Sequence, residues 1–355
     1  MGLLRSLSAA SLASLAFVTS IATARAQGVP RACTGTSPAT VATGGAITGL
    51  SAVAGSADAL YVAYDAAAGT RRVVGLLLIT GASGGQMAVN TATVGEGSIG
   101  RSGLVLVGST LIGAYKRTNG TVVAFTRSVS GGAVTELAAD SALAASSAPS
   151  VAVNGRNILI SWAGSNGSSY LWTVSATGQP VGAARTVATN FVGLQSTGAL
   201  GGAVIGAGST AQVSLSTGRA PRAIAAIPAG ATAYAVTNAG RTAIIASVAS
   251  GTAHVTSVRT ATDRGRTVSL GPAVGASHVA VAPTPWGGFA LWPSASTLNL
   301  QALRPDGRKL GPSFAMGTFR ATQSEAFSAT AVGSVVYAFW AEGGNVQMLR
   351  IHCYS

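Results

Sequence analysis

The chain has 355 residues, 22 of them basic and nine acidic, and its formal charge is +13. A hydrophobic content of 48% excludes a disordered chain, and 47 glycines without a three-residue period exclude a collagen-like one. Gly, Ser, Thr and Val recur in place of helix-forming runs, which weighs against a helical protein, and two cysteines are too few for a disulfide-dense scaffold or a structural zinc site.

Residues 1–26 have the pattern of a secretory signal peptide. Arg5 supplies the positive charge, residues 7–22 form an apolar segment too short for a transmembrane helix, and residues 24–26 (Ala-Arg-Ala) match a cleavage site. We therefore expect export to the periplasm, the cell surface or the medium, with residues 27–36 as an N-terminal tail. No later run of about 18 apolar residues predicts a transmembrane span.

A short, densely apolar segment recurs along the rest of the chain. The ends of successive copies are 40 to 51 residues apart, and most copies are followed by a second apolar segment and a glycine turn. Such a period indicates a repeat architecture. The seven copies are residues 59–64, 110–115, 157–162, 202–207, 242–247, 287–292 and 335–340.

The third copy shows the repeating unit most clearly. Residues 149–155, 156–164, 169–178 and 183–189 read as four short antiparallel strands joined by tight turns. The second strand is apolar on both faces, which a single sheet cannot bury, so such sheets must stack around an axis as the blades of a β-propeller. The fourth copy, residues 190–230, is the least regular.

The two chain ends predict how the ring closes. After the seventh copy only residues 345–354 remain, so this copy lacks its fourth strand, and residues 37–45 could supply it. Cys33 and Cys353 lie at this seam, and in an exported protein we expect a disulfide between them. The sequence thus predicts an all-β, seven-bladed β-propeller closed by the N-terminal strand, with a terminal disulfide.

On this spacing, residues 37–355 resemble the degenerate propeller repeats of exported bacterial proteins of unknown role. The resemblance implies one propeller domain and leaves the activity open, because no diagnostic repeat motif is present. The architectural alternative is an outer-membrane β-barrel. Against it, residues 73–79 do not alternate apolar and polar, and 6% aromatic residues are few for two girdles.

Short motifs for chemistry are present but lack their structural context. Residues 81–85 match G-x-S-x-G and residues 95–100 match G-x-G-x-x-G, yet neither precedes a predicted helix. His254, His278 and His352 are scattered over three repeats without ligand spacing. We therefore assign no catalytic, cofactor-binding or metal-binding residue and expect no cofactor.

Other charged and aromatic residues are assigned to turns and core. The nine acids lie mostly in or beside predicted turns, although different blades could bring two carboxylates together. The aromatic residues at equivalent repeat positions are predicted core: Tyr64, Tyr115, Trp162, Trp292 and Trp340. Three arginine clusters could form basic patches: Arg71 with Arg72, Arg219 with Arg222, and Arg259 with Arg264 and Arg266.

These observations favour an exported, monomeric, non-catalytic binding or scaffold module at the bacterial envelope, with a protein or glycan as its partner. One alternative is a glycan-active hydrolase or lyase with its site at the channel mouth. Another is salt-sensitive binding of anionic envelope polymers, consistent with the excess of arginine. No interleaving of aromatic and basic residues indicates specific nucleic-acid binding.

Overall fold

The structure is a computed structural model. It describes residues 29–55, 58–82, 87–189, 193–197, 202–207, 210–215, 222–223, 227–228, 230–231, 233–239, 242–259, 265–273, 278–284, 287–320 and 326–354. The predicted signal peptide lies outside these residues. Within them, no helix is long and apolar enough to cross a membrane.

Short antiparallel strands make up nearly all of the regular structure. The described residues contain no α-helix, and a 3-10 turn lies at Ser141–Leu143. The strands, numbered in chain order, are β1 Ala32–Gly35, β2 Ala39–Thr43, β3 Leu50–Ala54, β4 Ala59–Ala68, β5 Arg71–Thr80, β6 Ala88–Glu96, β7 Ser98–Val107, β8 Thr110–Lys116, β9 Val122–Ser128, β10 Thr135–Ala138, β11 Ser150–Asn154, β12 Asn157–Ala163, β13 Ser168–Ser175, β14 Arg185–Thr189, β15 Gly193–Thr197, β16 Gly202–Ala207, β17 Thr210–Leu215, β18 Arg222–Ala223, β19 Ala233–Ala239, β20 Thr242–Ala249, β21 Thr252–Arg259, β22 Gly265–Pro272, β23 Ala280–Thr284, β24 Gly287–Ser294, β25 Thr297–Leu303, β26 Lys309–Thr318, β27 Phe327–Val332, β28 Val335–Glu342 and β29 Asn345–Tyr354.

Six four-stranded antiparallel sheets follow the predicted repeat. In chain order they are blades 1 to 6, formed by β3–β6, β7–β10, β11–β14, β15–β18, β19–β22 and β23–β26. The recurring apolar segments coincide with the second strands of these blades and with β28. Glycines of the predicted turns adopt positive φ, as at Gly155 (61°) and Gly307 (77°), so the sequence located these hairpins correctly.

The predicted seven-bladed propeller, closed by the N-terminal strand, is wrong in its number of blades. Six blades, not seven, have the regular four-stranded form, and the sheet that joins the chain ends is a composite of five strands, β1, β2, β27, β28 and β29. β29 is ten residues long, and β2 pairs with its first part only, between Asn345 and Met348. β1 pairs with the remaining edge, so part of the predicted tail belongs to this closing sheet.

The disulfide between Cys33 and Cys353 confirms the predicted link between the chain ends. The two residues are direct partners in the β1–β29 ladder, and their Cα atoms are 4.2 Å apart. This spacing is typical of opposed residues in an antiparallel pair that exchange no backbone hydrogen bonds, where side chains approach most closely.

The first strands of the sheets form a closed ring. In order, β3, β7, β11, β15, β19, β23 and β27 each contact the next, and β27 contacts β3. The apolar clusters lie between neighbouring sheets: one joins blades 2 and 3, and another joins the closing sheet to blade 1. The strands therefore form separate stacked sheets, and the alternative of one closed outer-membrane sheet is wrong.

The antiparallel order gives the ring two faces with different loops. Four strands return the chain to the side where it started, so every blade begins on the same face, here called the upper face. The upper face also carries the turns between second and third strands. The lower face carries the turns between first and second and between third and fourth strands.

Candidate functional site

A cavity of about 310 Å³ lies on the ring axis, among the first strands of the sheets. Its described lining residues belong to β3, β7, β11, β19, β23 and β27, and apart from Arg101 they are Ala, Val, Leu, Pro, Ser and Thr. Such a wall can select a ligand by shape and by a few hydrogen bonds. General acid–base chemistry needs titratable groups, such as a histidine or a pair of carboxylates.

Arg101 extends across the ring axis. Its Nη1 donates hydrogen bonds to the carbonyl oxygens of Tyr234 (3.2 Å) and Val279 (3.4 Å). Arg101 belongs to blade 2, whereas Tyr234 lies in blade 5 and Val279 directly precedes β23 of blade 6. The side chain therefore connects opposite sides of the ring and puts a positive charge at the upper end of the cavity.

Two glycines let Arg101 reach the axis. The ladder between β7 and β8 shifts register around residues 100–103, which form a bulge in the first strand. A Cβ on Gly100 would lie 2.9 Å from a carbonyl oxygen of the segment leading into blade 3, and one on Gly103 would lie 2.5 Å from the Ile99 side chain. The bulge needs both glycines, and it directs Arg101 towards the axis.

Serine hydroxyls near Arg101 connect neighbouring blades. Ser51 Oγ accepts a hydrogen bond from the Leu104 amide (3.1 Å), between blades 1 and 2. Ser328 Oγ accepts from the Ala52 amide (3.0 Å) and donates to the Arg101 carbonyl (3.4 Å). These hydroxyls satisfy buried backbone groups, so their role is structural.

A buried carboxylate connects blades 1 and 2 on the upper face. Asp65 is fully buried and accepts hydrogen bonds from the Thr48 amide (2.7 Å), the Gly49 amide (3.1 Å) and the Ile99 amide (3.3 Å). Arg72 Nη2 lies 2.6 Å from its Oδ1. A Cβ on Gly49 would overlap the Ile99 carbonyl, so this close approach requires glycine.

A second charged group lies on the upper side of blade 2. The Tyr115 hydroxyl donates to Glu136 Oε1 at 2.5 Å, and Arg117 Nη2 lies 2.8 Å from Glu136 Oε2. Burial, followed by the hydrogen bond to Glu136, raises the pKa of Tyr115 to about 12. The phenol is therefore held protonated and acts as a hydrogen-bond donor within the blade.

The short motifs and the histidines that the sequence offers for chemistry lie in different parts of the ring. The serine of the G-x-S-x-G match lies outside the described residues, and residues 95–100 connect β6 to β7, as predicted. His278 packs edge-on against Phe319, whereas His254 and His352 lie on β21 and β29. Burial lowers the pKa of both His254 and His352. Within the described part of the chain, no three His, Cys, Asp or Glu residues could hold a metal ion together.

The aromatic residues at equivalent repeat positions are largely core, as predicted. Tyr115, Trp162, Trp292 and Trp340 are buried, and Tyr64 is partly buried. Arg219, Asp263, Arg264 and Glu325 lie outside the described residues. Sequence reasoning missed Arg101, and the only signal for it is its position between two glycines in a first strand.

Two grooves open between blades away from the axis. One, of about 130 Å³, lies between blades 1 and 2 and includes Tyr61 and Arg127. The other, of about 420 Å³, lies between blades 2 and 3 and includes Trp172, Val181 and Asp140. The Trp172 indole donates to the Gly182 carbonyl (3.1 Å), so its polar atom already has a partner in the blade.

Comparison with known proteins supports the fold and goes no further. No known protein family matches the sequence, and no curated protein matches it. The chain is similar to the structure of AofleA from Arthrobotrys oligospora, with a TM-score of 0.54, 13% identity, and 91% and 87% of the two chains covered.

Two further structures are similar to the same degree. One is a chain of the Mitotic Checkpoint Complex, with a TM-score of 0.51, 12% identity and 98% of each chain covered. The other is a putative 6-phosphogluconolactonase from Bacteroides fragilis, with a TM-score of 0.51, 12% identity, and 81% of this chain and 92% of that chain covered. At these identities the likeness shows a shared propeller fold alone.

Proposed function

We propose that the chain is an exported, non-catalytic binding or scaffold propeller at the bacterial envelope. The observation that carries this proposal is the axial cavity, whose described lining is small, apolar or hydroxylated around the single charge of Arg101. A glycan hydrolase or lyase at the channel mouth would need carboxylates or a histidine there. The described lining residues include neither, which favours binding over catalysis.

The proposed export rests on the signal-peptide pattern of residues 1–26 and draws support from the disulfide. A disulfide between Cys33 and Cys353 is expected to persist in an oxidising compartment, such as the periplasm or the medium. Expression of the full chain in a bacterial host should give an exported protein whose N-terminus is Gln27. An intact N-terminus in a cytoplasmic product would contradict export.

Binding and catalysis can be separated on one preparation. We expect the purified exported chain to bind members of a glycan panel and to leave a panel of chromogenic glycosides unhydrolysed. Steady turnover of any glycoside, proportional to the protein concentration, would contradict the proposal.

A pair of variants tests whether the axial cavity is the contact surface. Thr237→Trp places an indole in the cavity lining, whereas Thr135→Trp adds the same side chain at an exposed position on β10. We expect the first variant to lose glycan binding at least tenfold and the second to retain it. Equal binding by both variants would move the contact surface away from the axis.

A further inference from the structure

The charges of the ring are distributed unequally between its two faces. Within the described residues, the upper face has five acids and five cations in or near its turns, and three of these cations form ion pairs: Arg71 with Glu96 (2.9 Å), Arg72 with Asp65 (2.6 Å) and Arg117 with Glu136 (2.8 Å). The acids are Asp65, Glu96, Glu136, Asp140 and Glu342, and the cations are Arg71, Arg72, Lys116, Arg117 and Arg320.

The lower face has the opposite balance. In the part of the chain that the structure describes, its two acids are Asp58 and Asp306, and Arg308 forms an ion pair with Asp306 at 3.3 Å. Seven exposed cations lie in its turns or at its strand ends: Arg31, Arg156, Arg259, Arg266, Arg304, Arg308 and Lys309. Among the described residues, the excess of positive charge therefore lies on the lower side of the ring.

Five of these cations lie at the seam between blades 5 and 6. The turn between β25 and β26 packs onto β21, because Ser257 Oγ donates to the Asp306 carbonyl at 2.7 Å. A Cβ on Gly307 would lie 2.7 Å from Ser257 Cβ, so the glycine permits this contact. The turn thus holds Arg304, Arg308 and Lys309 against the neighbouring blade.

The strand register brings the other two cations to the same seam. Arg266 is the direct partner of Ser257 in the β21–β22 ladder, so both side chains leave the sheet on the side facing blade 6. Arg259 follows Ser257 by two residues and points to that side as well. Cross-strand Cβ atoms are about 5 Å apart, and a two-residue step along a strand is about 7 Å.

We propose that this seam patch, Arg259, Arg266, Arg304, Arg308 and Lys309, binds a linear acidic polysaccharide. This inference rests on the proposed binding function, and it names the class of ligand and the surface that binds it. Arginine forks match carboxylate and sulfate groups, and a cluster of cations that spans two blades fits an extended polyanion. None of these five described residues is aromatic and able to stack on bases, which disfavours single-stranded nucleic acid. Five of the seven exposed lower-face cations lie on two adjacent blades. A flat membrane would contact the whole face, so this uneven distribution disfavours a membrane as the ligand.

The test compares two triple variants with equal loss of charge. Arg259→Ala, Arg266→Ala and Arg304→Ala are combined in one chain, and Arg71→Ala, Lys116→Ala and Arg320→Ala on the upper face in the other. Binding to heparin, as a sulfated probe, and to polygalacturonate, as a carboxylated one, is measured over a range of salt concentrations. For the seam variant we expect affinity about 10- to 100-fold weaker at low salt and a log–log salt slope smaller by about two.

Each outcome supports or overturns the inference. Retained affinity in the upper-face variant, with unchanged thermal midpoints in both, supports it. Equal weakening of the two variants would show that only net charge matters, and would overturn the inference. If the patch binds duplex DNA or phosphatidylglycerol vesicles more tightly than it binds the two polysaccharides, the proposed ligand class is wrong. If the unmodified chain binds neutral glycans but no polyanion, the inference fails and the proposed function stands. If it hydrolyses glycosides, the proposed function fails instead.

Discussion

The upper and lower faces of the ring contain the same kinds of charged residue in different settings. On the upper face, Asp65 is buried, forms an ion pair with Arg72 and accepts backbone hydrogen bonds from Thr48, which precedes blade 1, and from Ile99 in the first strand of blade 2. On the lower face, Arg259 and Arg266 are exposed and have no ion-pair partner among the described residues. The comparison suggests that the buried upper-face carboxylate maintains the fold, whereas these exposed lower-face arginines are available to a ligand.

The largest expected effect is at the buried carboxylate. Asp65→Ala should lower the free energy of unfolding by about 3–5 kcal/mol, because it leaves buried amides and the Arg72 guanidinium without their acceptor. Urea unfolding would measure the loss. The matched control is Glu96→Ala on the same face, whose ion pair is exposed, and it should change stability by less than about 1 kcal/mol. A similar small loss for Asp65→Ala would contradict the structural role of the upper face.

The disulfide is the structural element at the lower end of the closing sheet, and its removal ranks second. It joins residues 320 positions apart, for which chain entropy gives an upper bound of about 5–6 kcal/mol. We expect Cys33→Ser with Cys353→Ser to cost about 2–5 kcal/mol. Reductant should destabilise the unmodified chain by the same amount as the double substitution does, and it should leave the stability of the double variant unchanged. A midpoint insensitive to reductant in both would show that the sheet closes without the bond.

Much of the fold follows from local patterns, whereas its closure depends on strand lengths that the sequence does not mark. The segments 59–64 and 157–162 could be identified as second strands because both of their faces are apolar. Residues 32–35 (Ala-Cys-Thr-Gly) have no strand-like alternation. They form β1 only because the long β29 leaves an edge unpaired.

The sites depend on contacts between blades, which periodicity does not specify. Arg101 reaches the axis because Gly100 and Gly103 bulge against neighbouring elements, and a Gly-Arg-Ser-Gly segment otherwise reads as a turn. The arginines at 259 and 266 were recognisable as a cluster. Arg304 lies close to them because Ser257 contacts the next blade, and the sequence does not reveal this contact.

The third prediction concerns the Tyr115 hydrogen bond on the upper side of blade 2. Tyr115→Phe should cost about 1 kcal/mol at pH 8. The folded pKa of about 12 lies above the ordinary value of 10, so this contribution is complete below pH 10 and is lost as the pH rises towards 12. Between these values the unmodified chain should lose stability more steeply than the variant, as measured by urea unfolding at each pH. Parallel curves would contradict this assignment.

The smallest expected effect is on the lower face. Arg266→Ala should change the free energy of unfolding by less than about 0.5 kcal/mol, because the side chain is exposed and has no described ion-pair partner. Chemical denaturation of this single variant beside the unmodified chain is the measurement. A loss above about 1 kcal/mol would mean that the seam patch contributes to the fold, and the difference between the faces would disappear.

Arginine footprinting tests most directly whether the two faces have different roles. The chain is labelled with an arginine-specific dicarbonyl reagent, with and without heparin at low salt, and the modified peptides are quantified by mass spectrometry. We expect that heparin protects Arg259, Arg266, Arg304 and Arg308, while Arg71 and Arg320 react equally in both samples. Protection of the upper-face arginines to the same extent, or of no arginine, would contradict it.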